Sequence, residues 1–83
     1  MNSSTTFTVS MSQSQLYELS DAACEVIERM LREGISEEEA KLNSLSELWE
    51  AYKTLHLTLL GSIDTPAIRR LEQQVTDALD SYA

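Results

Sequence analysis

An all-α protein of three helices is predicted by three features of the chain. Apolar residues recur every three or four positions in three blocks, serine or threonine stands ahead of each block, and the two glycines fall where the first two blocks end. The pattern gives a long antiparallel helical hairpin over 13–33 and 37–60, because a turn of two to four residues leaves two long helices side by side. A shorter C-terminal helix over 66–82 completes a single helical domain, 12–83, after an extended or flexible N-terminal segment, 1–11.

In that segment Thr6-Phe7-Thr8-Val9-Ser10-Met11 alternates polar and apolar residues, the period of a short strand. A lone strand cannot satisfy its own backbone groups, so it must add to another chain or lie across a helical groove.

The first helix opens on Ser12, whose hydroxyl accepts from the helix backbone while Gln15 reaches back to complete a capping box. Met11 and Leu16 stand where a hydrophobic staple joins across the cap. Its stripe is Leu16, Leu19, Ala23, Val26 and Met30, widened by Ile27 and Leu31. Gly34 ends it in a left-handed conformation, with Ile35 folding back on Met30.

Ser36 and Glu39 form a second capping box around Glu37 and Glu38. The stripe of the second helix is Leu42, Leu45, Leu48/Trp49, Tyr52, Leu55/His56 and Leu59, and Gly61 closes it. Thr65 caps the third helix, with Pro66 pre-set at its first position and Ile68, Leu71, Val75, Ala78/Leu79 and Tyr82 in register.

A chain of 83 residues buries only about 60–65 % of its unfolded surface, so it needs a helper. One cysteine excludes an internal disulfide and one histidine argues against zinc, which leaves self-association as a helical-bundle homodimer. The leucines of Leu55-His56-Leu57-Thr58-Leu59-Leu60 fall on more than one face, so the second helix needs cover on most of its circumference. Phe7, Val9, Leu48, Trp49, Tyr52, Leu55, Leu57 and Leu60 are the candidate dimer and interaction surface, with Trp49 and Tyr52 also fitting a core.

Fourteen acidic residues against six basic ones give a net charge of −8, which argues against nucleic acid and anionic membranes as partners. Arg69-Arg70, Lys53 and Lys41 have Glu72, Glu50 and Glu39 near them, the pattern of a solvated helix surface. No apolar run spans a membrane, Met1 to Gln15 lacks the basic start and apolar run of a secretory signal, and a lone cysteine suits a reducing compartment. A cytoplasmic location is expected.

Catalytic chemistry finds no constellation. Hairpin geometry separates Cys24 from His56 by about 15 Å, beyond hydrogen-bond reach. Glu37, Glu38 and Glu39 point about 100° apart and oppose the helix dipole rather than converge on an ion. Lys53 occupies the position where a metal-binding Glu-x-x-His motif ending at His56 needs glutamate. Neither a nucleophile elbow nor a glycine-rich phosphate loop is present. The expectation is no catalytic, metal or cofactor site, and a small acidic, non-enzymatic protein–protein interaction module: an adaptor, co-chaperone or inhibitor of an unidentified protein, nucleic-acid mimicry being one form.

The order strand, helix, Gly34-Ile35-Ser36, helix over Thr6 to about Tyr52 resembles the ribbon-helix-helix repressors and antitoxins. The resemblance implies an alternative, a DNA-binding dimer joined through residues 6–11. Phe7, Val9 and Met11 would then face the core, and Thr6, Thr8 and Ser10 the bases.

Overall fold

The computed structural model describes residues 5–34 and 39–81, with side chains from Lys41 onward in the second stretch. The protein is all-α: α1 (Gln13–Glu33), α2 (Glu39–Leu60) and α3 (Pro66–Asp80) follow one another. Residues 5–11 are irregular, and no strand occurs among the described residues. The expected strand at 6–11 therefore does not form within the single chain, which offers no edge for its backbone groups to pair with.

The local signals hold at most helix ends. The Gln15 N–H donates to Ser12 Oγ at 3.1 Å and the Ser12 N–H to Gln15 Oε1 at 2.9 Å, so both halves of the capping box are made. Thr65 Oγ1 accepts from the Ile68 N–H at 3.2 Å, with Pro66 at the first helical position. The Gly61 N–H reaches the Leu57 carbonyl at 2.9 Å, and its φ of 72° explains a glycine there. Gly34 differs from expectation: φ 81° comes with ψ 150°, outside the left-handed helical basin and in a region that only glycine visits freely. Ser81 is a turn residue beyond α3, its N–H and Oγ both donating to the Asp77 carbonyl. The Ser36–Glu39 box with its start at 37, the Ile35–Met30 contact and Tyr82 lie outside the described residues.

One core joins the three helices. Ala23 and Ile27 come from α1, Leu45, Trp49 and Tyr52 from α2, and Ile68, Leu71 and Val75 from α3. Ile27 and Leu45 are completely shielded from solvent. The α2 and α3 stripes appear as expected over these residues, with Leu42, Leu48, Ala78 and Leu79 half-buried against them. The α1 stripe is rotated: Ser20 is buried while Leu19 is exposed and Leu16 only half-buried. The line Ser20-Ala23-Ile27 keeps the 3-4 rhythm, and a small serine allows closer approach than a leucine.

The chain is more open than its size requires. Its Cα radius of gyration is 13.3 Å, where a compact domain of this length has about 12 Å.

Candidate functional site

The large exposed apolar residues are not scattered. Among the described residues they are Phe7, Val9, Met11, Tyr17 and Leu19 in one stretch, and Leu57, Leu60 and Ile63 in another. All but Leu19, which follows Glu18, fall within the two longest uncharged runs of the chain, 1–17 and 54–63. Elsewhere in the sequence, acids and bases recur every few residues, which keeps those surfaces wet.

The expected interaction set divides accordingly. Phe7 is 84 % exposed, Val9 69 %, and Leu57 and Leu60 each 53 %. Leu48 and Leu55 are half-buried. Trp49 and Tyr52 lie in the core at 6 % each, so packing against α1 and α3 consumes them before any partner arrives. Met11, Tyr17, Leu19 and Ile63 were not in that set. Met11 had been given a place in the helix cap and Leu19 one in the core stripe, and only tertiary packing leaves them outside.

Met11, Leu19 and Ala22 line a groove of about 660 Å³ at the start of α1, with Ser10, Ser14, Gln15 and Glu18 at its polar parts. Glu18 is the one charged side chain in that lining.

A second, polar cleft of about 310 Å³ lies where Cys24, Glu28, Tyr52, Arg70 and Gln74 come together. The half-buried Cys24 thiol donates to Glu28 Oε1 at 2.9 Å, and the Tyr52 hydroxyl is its other hydrogen-bonding neighbour. Burial pushes the thiol above its ordinary value, and the bond to Glu28 adds to the rise. Burial likewise raises Tyr52, followed by its bond to Cys24. A thiol held protonated in this way is a poor nucleophile.

The hairpin register differs from the expectation that Cys24 and His56 lie about 15 Å apart: Cys24 sits beside Tyr52 and the His56 ring packs on that same Tyr52, which brings the two closer together. The His56 Nδ1 is buried with no hydrogen-bond partner among the described residues. Lys53 Nζ pairs with Glu50 at 3.0 Å and sits 5.3 Å from the Trp49 ring centroid. Arg69 Nε donates to Asp64 Oδ1 at 2.6 Å. These cations are engaged by neighbours on an open surface. Among the described residues no three His, Cys, Asp or Glu side chains are grouped to hold a metal, and no helix is long and apolar enough to cross a membrane.

No protein-family model, curated protein or solved structure matches this chain.

Proposed function

We propose that the protein is a small acidic, non-enzymatic protein–protein interaction module: an antiparallel α1–α2 hairpin braced by α3, acting as a cytoplasmic homodimer and presenting an uncharged apolar end. One observation carries this reading: among the described residues, every large exposed apolar side chain except Leu19 falls within one of the two longest uncharged runs. Counting outward from the Cys24–Tyr52 contact, an antiparallel α2 brings position 19 level with 57, and position 16 with 60, where α2 ends. The two runs then merge into a single patch at one end of the hairpin. Contiguous exposed apolar surface on a soluble protein marks an interaction site.

The test compares the full chain with a variant carrying Leu57→Glu and Leu60→Glu as bait. Both positions are exposed, so the fold is kept. A protein retained by the native chain and lost by the variant supports the module. Identical retention by both, or no specific retention by either, overturns it. Charge does not favour the DNA-binding alternative, since residues 1–17 hold no Lys or Arg to meet phosphates.

A further inference from the structure

We infer that the polar cleft between α1 and α3 binds a small zwitterion of amino-acid type, its carboxylate on Arg70 and its ammonium on Glu28. The inference is independent of the apolar end of the hairpin and of the interaction-module reading.

The cleft draws its walls from all three helices. Cys24 and Glu28 stand one turn apart on α1, Arg70 and Gln74 one turn apart on α3, and Tyr52 enters from α2. Leu71 adds an apolar side. Tyr52 is only 6 % exposed, so core packing holds this member of the site in place. The Cys24 thiol bonds one oxygen of the Glu28 carboxylate and leaves the other for a ligand.

Arg70 and Glu28 carry opposite charges on the same cleft, yet they do not pair. Among the described residues the ion pairs are Lys53–Glu50 and Arg69–Asp64. Asp64 therefore engages Arg69, while Arg70 next to it has no carboxylate. A guanidinium is a planar fork of N–H donors that grips a carboxylate through two hydrogen bonds. A ligand with a charge of each sign completes both half-made interactions.

The surrounding charge selects against other ligands. An adjoining cleft of about 220 Å³ sets Asp21 and Glu25 beside Cys24 and Glu28, with Arg32 at its edge. The three carboxylates repel an inorganic phosphate or other simple anion that approaches Arg70. Arg70 in turn opposes a simple amine at Glu28. Only a molecule carrying both charges meets attraction at each wall. The cleft volume of about 310 Å³ lies at the small end of ligand pockets, about 300–1,000 Å³. That size suits a free amino acid better than a nucleotide.

The experiment titrates the full chain with L-leucine and with γ-aminobutyrate, following its amide proton–nitrogen NMR spectrum to tens of millimolar ligand. The two probes place the charges close together and far apart, and butyrate and butylamine supply one charge each. At least one zwitterion should shift the Cys24, Glu28, Arg70 and Gln74 signals saturably. Arg70→Gln and Glu28→Gln should each weaken that binding about tenfold or more, since each removes a charge-assisted hydrogen bond. Both positions are exposed, so the rest of the spectrum should be unchanged. The inference is overturned if neither zwitterion gives a saturable shift, if butyrate or butylamine binds as well, or if both variants bind like the native chain. L57E/L60E should bind the zwitterion normally, so failure here leaves the module reading standing, and failure of that reading leaves this site untouched.

Discussion

The rings of Tyr52 and His56 meet edge to face with centroids 4.4 Å apart, one helical turn apart on α2. Among the described residues, His56 Nδ1, buried beside this contact, has no hydrogen-bond partner. A ring pair of this geometry stabilises, whereas an unsatisfied buried nitrogen costs about 1–3 kcal/mol. His56→Phe keeps a ring against Tyr52 and removes the unpaired atom. It should raise the melting temperature by several degrees, since about 1 kcal/mol moves a domain of this size by roughly 4–8 °C. A lower melting temperature would show that Nδ1 has a partner in solution.

Leu45 and Leu57 lie on one helix and differ entirely in surroundings, 0 % against 53 % exposed. Leu45→Ala opens a cavity between all three helices and should cost about 2–5 kcal/mol. Leu57→Ala should stay within about 0.5 kcal/mol in a single chain. Half-buried Leu48 and Leu55 fall between the two. Urea titration of the three substitution classes gives the ranking, and equal midpoints for Leu45→Ala and Leu57→Ala would contradict the packing.

Cys24 and Tyr52 make stability fall at alkaline pH. Burial raises both, from ordinary values of 9.0 and 10.0, and the Cys24–Glu28 bond and the Glu28 and Asp21 carboxylates reinforce it. The unfolded chain therefore loses these protons first and binds fewer than the native state. The contribution is fully present below the ordinary thiol value of 9.0 and is lost as pH rises above it. Unfolding midpoints should decline from there upward, and a variant with Cys24→Ser and Tyr52→Phe should show a shallower decline.

Gly34 holds φ 81° and ψ 150° with nothing within 4 Å of the position a Cβ would take. Gly34→Ala thus meets backbone strain and no clash, worth about 1–3 kcal/mol. The loss should appear in the unfolding midpoint with no change in helix content.

Local chemistry made much of this fold legible. Ser12 with Gln15, Thr65 with Pro66, and Gly61 act within a few residues of themselves, so the sequence contains both partners of each contact. The core line of α3 was legible because its apolar spacing admits one face, and that of α2 because Leu45, Trp49 and Tyr52 keep the 3-4 rhythm ahead of the leucine-rich end, whose leucines fall on more than one face. The α1 face was not: a stripe through Leu16 and Leu19 competes with one through Ser20, Ala23 and Ile27, and periodicity alone cannot rank them. For the candidate site, the sequence singled out Phe7, Val9, Leu57 and Leu60. Tyr17 and Ile63 escaped it, although the uncharged runs around them were visible throughout, and so did Leu19, which lies between Glu18 and Asp21.

By itself, then, the sequence determined three helices, most of their ends and the acidic surface, because caps, glycines and charge act locally or simply add. Tertiary packing decided that Ser20 rather than Leu19 turns inward and that Trp49 and Tyr52 are buried in the core. It also decided which apolar side chains remain exposed. Those outcomes depend on volume shared among Ile27, Leu45, Ile68 and Val75, residues far apart in the chain that close packing makes neighbours.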